Sequence, residues 1–223
     1  MKKLLTLMTV AVIMAAFSCG DGGPSGPTSG DDHEFYPLSV GNTWYYDRNG
    51  SISLNDVQIG TVSGEATIEI SDTATHSEGF EVYVQDVQVS DTVTVYGQST
   101  YMDSTFTEYL RLTDSGLYGY RHLTDTDSSF TVPFPLQAGN IWTFQQEPPT
   151  TGEILSVSES VTVPAGTFTE CVEMQLIWID SAMTVSNTAD LARNVGEVRN
   201  EFVNTVGTYV TSITNSLVDY TLY

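Results

Sequence analysis

The sequence predicts an all-β fold, a large curved antiparallel sheet or open barrel built from two related halves. Three observations predict it: a tryptophan-bearing motif that occurs twice, a period-2 apolar pattern along most of the chain, and no convincing 3.6-residue period. The motif Phe35-Tyr36-Pro37-Leu38-Ser39-Val40-Gly41-Asn42-Thr43-Trp44-Tyr45-Tyr46 returns 98 positions later as Pro133-Phe134-Pro135-Leu136-Gln137-Ala138-Gly139-Asn140-Ile141-Trp142-Thr143-Phe144. A repeat of that length sets the architecture before any local propensity does. Pro37 and Pro135 fix φ and straighten the residue before them. Gly41 and Gly139, each followed by Asn, supply a turn with positive φ. Trp44 and Trp142 then fall at the start of a strand, in phase with Tyr46 and Phe144. Both indoles are expected to anchor the core, together with Trp178.

The strands follow in order. Ala66, Ile68 and Ile70 alternate with Glu65, Thr67 and Glu69, and Phe80, Val82 and Val84 with Glu81 and Tyr83. Val93–Val95, Phe106–Leu112 and Leu117–Tyr120 continue the pattern. Val172, Met174, Leu176 and Trp178 mark the clearest long strand, and Val210–Leu222 closes the chain with a strand pair. Val, Thr and Tyr are abundant, with breaks at Gly, Asn, Asp or Ser. Thr188–Arg193 is the one stretch that reads as one or two helical turns. With no helical crossovers the sheet is antiparallel. Pro164 at the second turn position and Gly166 two later suit a type I turn with Gly166 left-handed as a bulge.

The repeat extends beyond the motif. Ser63-Gly64-Glu65 aligns with Thr151-Gly152-Glu153, and Phe80 with Phe168, at an offset of 88. The shorter offset assigns about ten extra residues to a loop in the first copy, around residues 51–60. A weaker match sets Ser115-Gly116-Leu117-Tyr118 beside Val195-Gly196-Glu197-Val198. The expected domain is 34–223, with halves at about 35–132 and 133–223.

Residues 1–18 read as an export signal: Lys2 and Lys3, an apolar run from Leu4 to Phe17, then Ser18 and Cys19. A helix over that run spans only about 21 Å at 1.5 Å per residue, short of the roughly 30 Å hydrocarbon core. The stretch resembles a bacterial lipoprotein signal, with Ala16 and Ser18 as departures from its commonest pattern. That resemblance implies acylation of Cys19 and attachment to a membrane, stable because several acyl chains share one residue. Residues 19–33, rich in Gly, Pro, Ser and Asp, are a flexible tether.

Loss of residues 1–18 removes both lysines, leaving five arginines against 28 acidic residues, a net charge of −23. Such a surface repels nucleic-acid phosphates. Schiff-base chemistry and a Walker-type loop both need a lysine that is absent. Cys171 then has no partner cysteine and reads as a buried strand residue.

The paired openings, the Val163-Pro164-Ala165-Gly166-Thr167-Phe168 hairpin before a Cys-containing strand, and Val195-Gly196-Glu197-Val198 together resemble an uncharacterised family of bacterial exported β proteins, TapB-like. That family is similar in fold to the LolA/LolB lipoprotein carriers. The resemblance implies a curved sheet with an apolar pocket beneath a cover, and no catalytic residues.

No chemistry stands out. His33, His76 and His122 lack metal-ligand spacing, and no Gly-x-Ser-x-Gly elbow is present. Thr124-Asp125-Thr126-Asp127-Ser128 lacks the Gly and terminal Glu of a calcium loop and reads as a solvated acidic turn. No catalytic residue, metal or cofactor is expected. Nine of the 12 tyrosines lie in the first half, which suggests an aromatic-lined concave face. The expected function is a non-catalytic, lipid-anchored envelope module that binds a hydrophobic ligand or acyl chain. The alternatives are an envelope interaction protein for a protein partner or glycan, and, third, a hydrolase.

Overall fold

A computed structural model describes residues 32–146 and 149–223, with side chains left out for 144–149. The readings on the export signal, Cys19 and most of the tether lie outside the described residues, as does the Phe144 side chain. A 3-10 turn, Asp32–Phe35, leads into twelve strands. They are β1 Thr43–Leu54, β2 Val57–Thr75, β3 Glu81–Val95, β4 Gln98–Thr113, β5 Gly116–Tyr120, β6 Phe130–Pro133, β7 Ile141–Gln146, β8 Pro149–Val163, β9 Gly166–Asp180, β10 Met183–Ala192, β11 Gly196–Val206 and β12 Tyr209–Thr221.

All twelve form one sheet in the order β6-β5-β4-β3-β2-β1-β12-β11-β10-β9-β8-β7, antiparallel throughout. Each half is a six-stranded meander, and β1 joins β12 at the seam. The outer strands curl towards each other: the Trp142 indole N–H on β7 donates to the Thr131 carbonyl on β6 at 2.9 Å. The result is a nearly closed barrel. Its end is capped in part by the β8–β9 hairpin, where the Ala165 N–H donates to the Leu217 carbonyl at 3.0 Å. Leu217 lies beside a bulge in the β1–β12 ladder; such bulges leave backbone groups free of the ladder.

The two halves repeat each other in backbone bonding. Gly41 N–H donates to Ile70 O, and Gly139 N–H to Ile154 O. Ile70 N–H returns to Asn42 O, and Ile154 N–H to Asn140 O, both at 2.9 Å. The Asn42 and Asn140 side chains donate to the carbonyls of Pro37 and Pro135, and Gly41 and Gly139 have φ of +97° and +85°. A turn that buries its Asn bond in this way needs the positive φ that glycine adopts without strain.

This bonding corrects the sequence alignment. Glu153 pairs with Ile141, as Glu69 pairs with Thr43, so the counterpart of Glu153 is Glu69, four residues beyond Glu65. The extra residues of the first copy are not a loop: Ser51–Leu54 complete β1 and Val57–Gly60 begin β2. A period-2 match survives a slip of any even number, so identity at Gly-Glu outweighed register. Thr188–Arg193 is not helical; residues 188–192 belong to β10, held there by pairing with β9 on one side and β11 on the other. The β8–β9 turn contains only Pro164 and Ala165, and Gly166 pairs with Val163 as the first residue of β9; its φ of +145° is positive, as a glycine there allows, but lies away from the left-handed helical value. Asp32 and His33, assigned to the tether, pack onto the barrel: Asp32 is buried and its carboxylate accepts the Leu136 N–H at 3.4 Å.

Inward-facing residues form two apolar clusters. The larger holds Trp44, Tyr46, Ile68, Val87, Leu110, Phe130, Met174 and Leu191; the smaller holds Ile52, Val62, Val93, Val185, Phe202 and Ile213. A polar row crosses between them. Successive registers place Asn200, Asn215, Arg48, Gly64 and Asp91 side by side on five adjacent strands. Arg48, only 1% exposed, spans Gly64 to make two bonds to Asp91, at 2.9 and 3.0 Å, and donates to Asn215 Oδ1 at 2.7 Å. A Cβ on Gly64 would collide with Asp91 and the Ser90 carbonyl. The glycine lets a guanidinium reach a carboxylate two strands away, and the bidentate geometry offsets the desolvation of both charges.

Candidate functional site

The site is a half-open cavity of about 100 Å³ inside the larger apolar cluster. Its cover is the segment joining the 3-10 turn to β1: Phe35, Tyr36, Pro37 and Leu38. That segment is fastened to both halves. Glu34 O accepts the Asn194 N–H at 2.6 Å, and Arg193 pairs with the Glu34 carboxylate at 2.5 Å while lying over the Phe35 ring. On the other side His33 Nε2 meets Thr113 O at 3.1 Å, and the His33 and Tyr36 rings pack on Phe134.

The walls are Trp44, Tyr46, Ile68, Leu110, Phe130 and Leu191, with three polar side chains among them: Gln85, Glu108 and Glu197. Glu197 reaches the interior through a bulge. Arg199 pairs with Asp190, but Leu191 pairs with Glu197, so Val198 is the extra residue; a bulge re-aims the side chain next to it. One carboxylate oxygen of Glu197 accepts the Asn200 amide at 3.3 Å; the other is buried without a partner. Burial pushes its pKa up to about 8, with Asn200 opposing and the Asp190 charge adding. Glu108 is held near 7 by burial, moderated by the Arg121 charge, and takes a long bond from Gln85 at 3.4 Å. An isolated carboxylate in low dielectric takes up a proton instead of staying charged. Above them the Tyr36 hydroxyl is buried without a partner, and burial with the Glu197 charge raises its pKa. Tyr46 donates to the Glu197 carbonyl at 2.8 Å.

The residues singled out from sequence fall as follows. Trp44 is buried on the cavity wall, its indole N–H donating to Val195 O at 2.5 Å. Trp142 is half-buried where β7 meets β6, its ring against Gly152. Trp178 packs against the smaller cluster. Pro37 joins the cover, while Pro135, Pro164, Gly139 and Gly166 shape turns away from the cavity. Cys171 is fully buried, and burial raises its thiol pKa. His76 stacks on Phe80 at 4.3 Å, and Asp125 accepts the N–H groups of Arg121 and His122, a local turn. Among the described residues no group of three or more His, Cys, Asp or Glu is arranged to hold a metal ion. The tyrosines do not make one face: Tyr36 and Tyr46 line the cavity, Tyr45, Tyr96 and Tyr101 are exposed, and Tyr120 packs on His76. Strand alternation alone sends Tyr45 and Tyr46 to opposite sides.

Glu108 and Glu197 did not emerge from the sequence, yet a signal was present. Glu108 lies in phase with Phe106, Leu110 and Leu112, a carboxyl on an apolar face. Glu197 stands where the other half of the repeat has Leu117.

No family model matches the chain, and no curated protein matches it. Two solved structures are similar in outline. One is a Bacteroides fragilis protein described as exported with a YmcC-like fold, at 12% identity and TM-score 0.44; the match covers 84% of this chain and 98% of that one. The other is a Parabacteroides distasonis protein described as a lipoprotein, at 16% identity and TM-score 0.39, with the same coverage. Neither description names TapB, LolA or LolB, and likeness at this level assigns no activity.

Proposed function

We propose that this chain is a non-catalytic module of the bacterial cell envelope, held to a membrane by acyl chains on Cys19, whose barrel interior binds a small hydrophobic ligand. The observation that carries the proposal is the covered apolar cavity, with a few polar atoms converging on it, the usual makeup of a ligand site. The membrane attachment rests on the export signal and the position of Cys19. In the LolA/LolB-like picture a cover closes an apolar pocket; here that role falls to Phe35–Leu38, which continue directly from the tether.

Size limits the ligand. An engineered apolar cavity of about 150 Å³ accepts benzene, so about 100 Å³ holds a ring or a short chain. A long acyl chain enters only if the cover lifts. Native mass spectrometry of the mature protein purified from membranes tests both parts. The expected result is an acylated Cys19 and a retained small molecule that is lost on filling the cavity with Leu191→Trp. An unmodified Cys19 thiol rejects the anchor, and a cavity that stays empty against added apolar probes rejects the ligand.

A second reading concerns the opposite end, where Val57, Tyr96 and Ile179 near the hairpin turns are 64%, 71% and 56% exposed. An apolar fringe of this kind favours an envelope protein or glycan as partner. Crosslinking from Tyr96 in intact cells, with no adduct formed, would remove this alternative.

A further inference from the structure

Resting on the cavity proposed above, we infer that its occupant is a small amine, an apolar body of at most about six heavy atoms in a cavity smaller than the one that accepts benzene, with its ammonium directed at the unpartnered oxygen of Glu197 and with Glu108 elsewhere on the same wall. Both carboxyls line the same cavity, and no Arg, Lys or His is among the residues around it. The free oxygen of Glu197 is buried without a partner, and so is the Tyr36 hydroxyl, which can donate as well as accept. Buried polar atoms are nearly always satisfied, so two orphans in one cavity mark a missing polar partner. An ammonium supplies three donors and the only charge that both carboxyls attract.

The opposite charge is disfavoured at every range. A fatty acid carboxylate would find no cation among the residues lining the cavity, and outside it would approach a mature chain of net charge −23. The apolar body has its own contacts in Trp44, Leu110, Phe130 and Leu191. Groups around Glu197 are Tyr36, Tyr46, Asn200 and Asp190, and around Glu108 they are Gln85 and Arg121. Of these only Arg121 is cationic, and it is exposed. An ammonium entering near neutral pH therefore draws ionised carboxylates from carboxylic acids, and binding releases protons to solvent.

The test titrates the mature protein with hexylamine, hexanol and hexanoate, following tryptophan fluorescence and the heat of binding in two buffers of different ionisation enthalpy. Hexylamine is expected to bind at least about tenfold tighter than hexanol, a difference of about 1.4 kcal/mol, with net proton release. Hexanoate is expected not to bind. Glu197→Gln should collapse the advantage of the amine over the alcohol; Glu108→Gln, a second variant should the first not fold, should reduce it. Equal binding of amine and alcohol, or an amine advantage unchanged in both variants, overturns the amine assignment and leaves the apolar cavity standing. Failure of all three probes overturns the cavity reading, and the amine with it.

Discussion

Replacing Glu197 with Gln should remove an alkaline weakness built into the barrel. In the unfolded chain this carboxyl titrates near 4.5, in the folded barrel at about 8. Between those values the folded state keeps a proton that the unfolded state has lost. The stability is therefore fully present below about pH 4.5 and is lost as pH rises, the loss complete once pH passes about 8. At about 1.4 kcal/mol per unit of pKa difference, the full loss is about 5 kcal/mol, and about 3 kcal/mol of it is gone by neutral pH. Glu108, raised from 4.5 to about 7, adds a loss of about 3 kcal/mol in the same direction. Domains typically hold about 5–15 kcal/mol, so the wild type should approach unfolding on the alkaline side. Urea denaturation followed by tryptophan fluorescence, at about one-unit steps from about pH 5 to about pH 9, measures it. Glu197→Gln should match the wild type within about 1–2 kcal/mol at the acid end, the cost of a lost hydrogen bond, and exceed it by about 3 kcal/mol near neutrality. A wild-type curve that is flat or rises across this range, or a variant with an unchanged slope, refutes the argument that burial keeps this carboxyl protonated.

Three further outcomes follow from the interior and the seam. Gly64→Ala places a methyl against Asp91 and the Ser90 carbonyl, and should cost at least about 1–3 kcal/mol as an overpacked core position in a urea titration. Arg48→Met strands a mostly buried Asp91 carboxylate and should cost about 3–5 kcal/mol, whereas Arg48→Met with Asp91→Leu should recover most of it; equal losses in the single and double variants would remove the polar row as a coupled unit. Trp142→Phe deletes the β7–β6 bond and should cost about 1 kcal/mol overall, with faster amide exchange confined to β6 and β7. Protection unchanged at both edges would show that closure does not depend on that indole.

What was legible in the sequence is what local chemistry dictates. Pro, Gly and Asn in a fixed order specify the same turn twice, and both turns carry the same backbone bonds. Alternation located the strands because a half-buried ladder forces it. Less legible were properties that belong to the sheet as a whole. The alignment of Glu65 with Glu153 kept the alternation and missed the register, since pairing is set by turn and bulge geometry that alternation cannot report. Arg48 follows Trp44 and Tyr46 in phase, yet its burial depends on Asp91, 43 residues away. Val198 fills a bulge in an unbroken run of strand residues, and that bulge turns Glu197 inward. The tyrosine excess promised one aromatic face because counting residues ignores which side of the pleat each one takes.

The repeat also explains where the site could arise. Leu117 pairs with Leu112 in the first half, and Glu197 with Leu191 at the corresponding place in the second. Two meanders joined at β1 and β12 each begin with the same turn, so a change at Asn42 or Asn140, or at Gly41 or Gly139, would lose the turn that leads into β1 or β7. Positions facing the shared interior are under no such constraint, provided the cavity stays filled or satisfied. The Glu197 carboxyl, where the first half has Leu117, costs stability through the burial that keeps it protonated, a cost no turn or strand pairing requires. Its presence there, beside a tyrosine hydroxyl with no partner and beneath a separately fastened cover, fits a bound molecule, the reading proposed above, better than a need of the fold. The halves agree in the turns that build the barrel and differ at the wall of the cavity.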